Sequence, residues 1–385
     1  MPHVLSGTDR PPGRNPGIDL IRGVSIVLVV VHHMALRIPL PKTGLATVFP
    51  RQLLMALGFS GYEAVFVFFV ISGFLITENA IRRWGSVARI DLRAFYGRRF
   101  ARIAPCLVVL IVILSLLDLT RVPDYVIVHA GQSLPRAILS ALGMHLNWYE
   151  GRTGYLPGGW DVLWSLSVEE AFYLGFPLAC LLVGRHAGVR AVFFGVLALS
   201  LPLALNALSD APEVWREKAY LPGMAAIAMG VCAALFAATV RAPRKGLTAL
   251  SGACGAILLF SILLDEPFFL RLMGNATMLI LTGSVALLLL AFHWGWGRRR
   301  AARGTAWLRS CGVMSYEIYL THMFVVFPLV GLFHWSGSAL RFGWLWFTPA
   351  LCLSWGLGWV VDRVLSSPAD RWVRARLKAA APVPA

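Results

Sequence analysis

The sequence predicts an all-α fold: a polytopic integral membrane helical bundle of about ten transmembrane helices, with both termini cytoplasmic. Three observations predict it. Hydrophobic residues make up 58% of the 385 residues and charged residues 14%, where a soluble domain carries about 25% charge. Apolar stretches of near-spanning length recur from end to end, and no polar stretch between them is much longer than a loop. The basic residues, which give a net charge of +16, sit in those loops, the asymmetry that the positive-inside rule leaves. That placement points the charge at the lipid bilayer and away from nucleic acid.

Apolar segments fall near 20–37, 57–79, 103–118, 168–185, 190–208, 219–240, 247–264, 272–293, 311–333 and 343–363. Each is close to the roughly 17–25 residues that a spanning helix needs, and the third is the shortest. The stretch 135–148 carries Arg136, His145 and Asn147 and is marginal. Loop charge arbitrates. Arg82, Arg83, Arg89, Arg93, Arg98, Arg99 and Arg102 share one loop. Arg185 and Arg190, then Arg241, Arg244 and Lys245, then Arg298, Arg299, Arg300 and Arg303 mark three more. Arg10 and Arg14 precede the first segment, and Arg371, Arg374, Arg376 and Lys378 follow the last. All are cytoplasmic together only if ten segments span and 135–148 does not, which makes 119–167 one long non-cytoplasmic connection. The chain then divides into a polar tail, 1–16, a membrane domain, 17–365, and a basic tail, 366–385. The first segment resembles a signal peptide only in outline, because Arg22 and two histidines interrupt it and no cleavage site follows. None of the six cysteines forms a C-x-x-C pair, and all lie in or beside apolar segments, so they read as packing residues rather than disulfide or metal ligands.

Polar residues inside apolar segments carry the functional signal, because an ionisable group in lipid is costly and usually faces the bundle interior. In the first segment Arg22 and His33 are separated by eleven positions, which leaves about 20° between them around the helix and roughly 16 Å along it. Asp19 lies one turn before Arg22, placed to orient it. The plainer alternatives are a snorkelling arginine and a histidine in an interhelical hydrogen bond. His32 points about 100° away and reads as structural. In the second segment Ser72 and Gly73 are small enough to let helices approach. Arg99 and Arg102, at i and i+3 where the third segment begins, present a paired guanidinium surface suited to phosphate, or to lipid head groups.

Two further strings stand out. Trp160-Asp161-Val162-Leu163-Trp164-Ser165-Leu166-Ser167-Val168-Glu169-Glu170-Ala171-Phe172-Tyr173 closes the long connection. Ser167 followed by Glu169 and Glu170 reads as a helix N-terminus with acids in its first turn. Trp164 and Tyr173 suit a sugar or lipid acceptor at the interface, and either glutamate is free to orient His33 or bind an acceptor hydroxyl. Near the C-terminus, Ser315-Tyr316-Glu317-Ile318-Tyr319-Leu320-Thr321-His322 places Tyr319 and His322 on one face, with His322 read as a hydrogen-bonded structural residue.

Taken in order, these strings resemble the membrane acyltransferase-3 family. Arg22, ten residues, then His33 matches its first-helix hallmark. Phe68-Phe69-Val70-Ile71-Ser72-Gly73-Phe74-Leu75 matches its second signature, with Ala64 where the family commonly has Gly and Phe66 where it commonly has a polar residue. Arg99-x-x-Arg102 matches its third-helix entry, the Trp164–Tyr173 string matches almost letter for letter, and Ser315–His322 resembles its late motif. Ser366-Ser367-Pro368 stands where the family often has Glu near Pro. The resemblance covers about 17–365 and implies the stand-alone form, without a fused esterase-like domain. It further implies an O-acyltransferase of the cytoplasmic membrane that uses acyl-CoA, acetyl-CoA by default, as co-substrate, with no bound cofactor and no metal. The acceptor is a hydroxyl of a cell-envelope carbohydrate, glycolipid or metabolite. Arg22, Arg99 and Arg102 hold the donor phosphates. His33, with Glu169 and Glu170, carries the chemistry, as a general base or as an acyl carrier. Two alternatives predict otherwise: a carbohydrate or lipid transporter moves substrate without consuming acyl-CoA, and an envelope-assembly protein tolerates loss of Arg22 and His33.

Overall fold

The computed structural model describes residues 14–183, 186–297 and 304–379. Arg10, Arg185, Arg298, Arg299, Arg300 and Arg303 of the basic loops lie outside the described residues, as do the side chains of Arg374 and Lys378. Among the described residues there are helices and no strands. Among the described residues nine helices are long and apolar enough to cross a membrane, and a pair of helices bent by 47° makes a tenth if it is taken as one span. In chain order the spans are Pro16–Ala35, Gly61–Trp84, Leu92–Leu119, Gly158–Leu182, Ala187–Ala207, Glu213–Thr239, Lys245–Leu264, Ala276–His293, the bent pair Ser315–Thr321 with Met323–Trp335, and Leu340–Val373.

All ten expected segments are present, with three shifts that local chemistry explains. The third span starts at Leu92 because its arginine-rich entry is itself helical, with Asp91 Oδ1 accepting from Ala94 N at 3.1 Å to cap it. The fourth starts at Gly158, which draws the whole Trp164–Tyr173 string into the helix. Ser167 therefore does not cap that helix. Its hydroxyl donates to the Leu163 carbonyl at 3.2 Å and accepts from Leu146 N at 3.3 Å, so it caps the neighbouring short helix Leu146–Thr153 instead. The ninth span breaks at His322. The marginal stretch folds as two short helices, Leu134–Leu142 and Leu146–Thr153, that do not span. The basic tail continues the tenth span as helix Ser367–Ala379, which packs along the third, with Cys106 Sγ and Ser366 Oγ at 2.9 Å.

Glycines set the closest helix crossings. A Cβ on Gly73 of the second span would run into the Ile227 carbonyl, and one on Gly230 of the sixth into that of Val70. The first span meets the short helix Ala306–Val313 in the same way, Gly23 against the Leu308 carbonyl and Gly312 against that of Asp19. Such crossings suit a bundle in lipid, where close van der Waals packing replaces the hydrophobic effect as the force between helices. Apolar side chains such as Val112, Val196 and Ile257 are exposed on the third, fifth and seventh spans, facing the bilayer.

Candidate active site

A cavity of about 930 Å³ opens into the bundle between the first, second, third, fourth and ninth spans. Exposed Arg14, Arg82 and Arg83 stand at its mouth with Arg98, Arg99 and Arg102. All lie toward the same side of the bundle: just before the first span, at the end of the second and in the first three turns of the third. Farther in, the wall is Arg22, Ser72, Glu169, Tyr173, Ser165 and Tyr319. The structure thus brings Arg22, Arg99 and Arg102 to one cavity although they come from two spans.

Each arginine is held by a different partner. Arg22 Nη2 donates to the Ser315 hydroxyl at 2.8 Å. Asp19 does not orient it; the Asp19 carboxylate pairs with Arg14 Nε at 3.3 Å. Arg99 lies 3.6 Å over the Tyr173 ring and donates from Nη2 to Glu170 Oε1 at 3.4 Å, which fixes its plane against two walls. Arg102 stands 5.8 Å from the Tyr316 ring centre, whose hydroxyl donates to the Ile103 carbonyl at 2.9 Å.

The two glutamates divide. Glu169 lines the cavity and accepts from the Tyr173 hydroxyl at 3.3 Å, and that hydroxyl also contacts Ser72 Oγ. Glu170 is buried behind Arg99 and outside the cavity wall. Neither is hydrogen-bonded to His33, so the expectation that one of them orients the imidazole gives way to another partner, His322. Trp164, also outside the wall, packs edge-on against Phe69 at 6.1 Å.

The histidines lie past the inner end of the cavity. Tyr319, whose hydroxyl is 2.7 Å from Ser165 Oγ, has its ring centre 6.0 Å from that of His322, and His322 lies 4.8 Å from His33. His322 is fully buried at the bend of the ninth span, where its Nδ1 is 2.8 Å from the Tyr319 carbonyl. A carbonyl only accepts, so Nδ1 carries the hydrogen. Nε2 is then an acceptor, and it lies 3.4 Å from His33 Nδ1. His33 Nδ1 in turn donates to the Val29 carbonyl at 2.9 Å, so the lone pair of His33 sits on Nε2. His32 packs its ring over Gly61 and edge-on to Phe59, as a structural residue does.

Ser315, Ser165 and Arg37 were not singled out in the sequence. Both serines sit inside the two motifs, where a hydroxyl gives no sign of the arginine or tyrosine it will meet from another span. Arg37 donates to the His33 carbonyl at 3.0 Å. Burial pulls its guanidinium below the ordinary value, against the opposing charges of Asp124 and Asp161.

These features define a polytopic membrane protein in which an arginine-rimmed cavity ends short of the buried His322 and the partly buried His33. The chain belongs to acyltransferase family 3, whose acyltransferase domain matches over residues 15–363. It is similar to the peptidoglycan O-acetyltransferase OatA of Listeria monocytogenes, 29% identical over 216 residues, which cover 54% of this chain and 29% of that protein. It is also similar to the O-acetyltransferase OatA of Staphylococcus aureus (strain NCTC 8325 / PS 47), 28% identical over 174 residues, 42% of this chain and 24% of that protein. The matches thus span less than a third of either relative's length. No solved structure matches the chain.

Proposed function

We propose that the chain is an O-acyltransferase of the cytoplasmic membrane that moves an acyl group, acetyl by default, from acyl-CoA to a hydroxyl of a cell-envelope carbohydrate or glycolipid. One observation carries this: the cavity that runs from six arginines to Tyr319, beyond which His322 and His33 follow. The donor is a polyphosphate on a long flexible arm, and its two ends need a cationic rim and a buried base. The arginine end of the bundle is the cytoplasmic one by the positive-inside rule, which also puts both termini there. The acyltransferase unit runs over 17–365. The names of the relatives, O-acetyltransferases and one of them a peptidoglycan O-acetyltransferase, support both the acetyl group and an envelope carbohydrate.

In this account Arg99, Arg102 and Arg22 bind the donor phosphates, with guanidinium forks matched to phosphate oxygens. The thioester arm extends along Ser72, Tyr173 and Glu169 toward Tyr319. His33 Nε2 takes the proton of the acceptor hydroxyl as its oxygen bonds to the thioester carbonyl carbon. The C–S bond breaks, and the proton passes to the departing thiolate. The imidazolium formed in between shares its Nδ1–H between the Val29 carbonyl and His322 Nε2, so His322 serves as a positioning residue for His33.

The test is the purified full chain in liposomes, given acetyl-CoA and a panel of envelope carbohydrates, with free thiol and acetylated product both measured. Thiol release matched by acetylated carbohydrate is the expected result. Uptake of labelled carbohydrate with no thiol release would support a transporter instead.

A further inference from the structure

At the end of the bundle opposite the arginines lies a polar cluster that the mechanism above does not use. Lys218, at the start of the sixth span, is 2% exposed. Its ammonium bonds Glu150 Oε2 at 3.0 Å and forms a close ion pair with Asp161 Oδ1. The ring of Tyr155 lies 4.4 Å from the same ammonium, and its hydroxyl donates to Glu217 Oε2 at 2.9 Å. One carboxylate neutralises a buried lysine. Glu150 is fully buried and occupied at both oxygens, by Lys218 and by Leu156 N at 3.0 Å. Asp161 is therefore a second carboxylate. Its side chain is 22% exposed, and among the described residues no group donates to its Oδ2. Beside it, Asn147 Oδ1 and Trp160 Nε1 are buried with no hydrogen-bond partner in the protein.

The position of Asp161 matters as much as its spare oxygen. It closes the turn Gly158–Asp161, which packs on the helix that follows His322: a Cβ on Gly158 would meet Met323 and the Phe327 ring. Arg37, bonded to the His33 carbonyl, lays its guanidinium 4.7 Å over that same Phe327 ring. Asp161 thus sits on a turn packed against the helix that follows His322, at the end of the bundle away from the arginines.

We propose that Asp161 and the half-exposed ring of Tyr155 bind the acceptor, with the carboxylate taking hydrogen bonds from sugar hydroxyls and Lys218 holding it in place. The inference rests on the acyltransferase reading and deepens it. A carboxylate oxygen without a donor suits hydroxyls, and an aromatic face beside it suits the C–H face of a sugar ring, so the ligand class is carbohydrate rather than acyl lipid.

The experiment measures binding of chitotetraose and of acetyl-CoA separately, by calorimetry on the full chain in detergent, for the parent chain, Asp161→Asn, Asp161→Glu and Tyr155→Leu. Lys218 keeps Glu150 in Asp161→Asn, so no buried charge is stranded, and Tyr155→Leu leaves the ion pairs untouched should the first variant not fold. Losing a charge-assisted hydrogen bond weakens chitotetraose binding about tenfold or more, with acetyl-CoA binding unchanged and Asp161→Glu partly restored. Tyr155→Leu weakens it in the same sense. Equal chitotetraose binding by the parent chain and both neutral variants, or no binding by the parent chain, would overturn the inference. If chitotetraose binds as expected but no carbohydrate is ever acetylated, the acyltransferase reading falls and the carbohydrate site stands.

Discussion

His322 shows how a residue's meaning changes once its neighbours are known. In the sequence it is a histidine three residues after a tyrosine, and a structural hydrogen bond explains it. That bond exists, to the Tyr319 carbonyl, but it also fixes the tautomer and turns Nε2 toward His33. His322→Ala should therefore lower kcat on the order of a hundredfold, with little change in the KM for acetyl-CoA, because it removes the partner of the base and not a donor contact. Steady-state kinetics on the folded variant check this, and an unchanged kcat would confine His322 to a structural role. Arg99 makes the complementary case at the mouth. Arg99→Lys keeps the charge and loses both the fork and the stack on Tyr173, so the KM for acetyl-CoA should rise about tenfold, and more steeply with added salt, while kcat stays near the parent value. Arg22, His33, Arg99 and Arg102 were legible because ionisable residues stand out in apolar segments. Their partners were not: Asp19 turns to Arg14 and Glu170 to Arg99, and spacing along one helix says nothing of groups on another.

At the scale of the element, two glycine pairs decide how near the working spans stand. Gly73 and Gly230 bring the second span against the sixth, and Gly23 and Gly312 bring the first, with Arg22 and His33 on it, against the helix before the ninth. In each case the obstructing atom is a backbone carbonyl, which cannot swing away as a side chain does. Gly230→Val should cost about 1–3 kcal/mol or more of stability, read as a lower thermal midpoint in detergent and a lower folded yield. A midpoint equal to that of the parent chain would mean that the crossing is looser than described. The sequence marked Gly73 as a packing residue correctly. It misread Ser167, because serine followed by two acids looks the same whether it caps its own helix or lies one turn inside it and caps a neighbour. The short helix Leu146–Thr153 that Ser167 serves was visible only as a marginal apolar stretch.

Over the whole molecule, hydrophobicity alone foretells most of the helices. Among the described residues the ten apolar segments become nine helices of spanning length and one bent pair, because in lipid every backbone polar group must be satisfied within its own helix and long apolar runs have no other stable form. The Lys218–Glu150–Asp161 cluster escaped notice for a complementary reason. Its members come from a long connection and from the residue just before an apolar segment, and each alone reads as a solvated loop charge. Ten spans also predict sidedness. Cysteines placed at Ser86 and at Thr305 should react with an impermeant thiol reagent from one side of sealed vesicles, and cysteines at Thr47 and Asp210 from the other, once the exposed native cysteines are replaced. Labelling of all four from one side would break the count. The central claim is that one base, His33, joins a donor bound at the arginine end to an acceptor bound at the other. The most direct measurement seals acetyl-CoA on the arginine side of oriented vesicles, supplies the carbohydrate acceptor only on the opposite side, and compares the parent chain with His33→Ala. Acetylated carbohydrate from the parent chain, reduced on the order of a hundredfold or more in the variant, is the predicted result. Transfer at the parent rate by His33→Ala, or transfer only when donor and acceptor share one side, would contradict it.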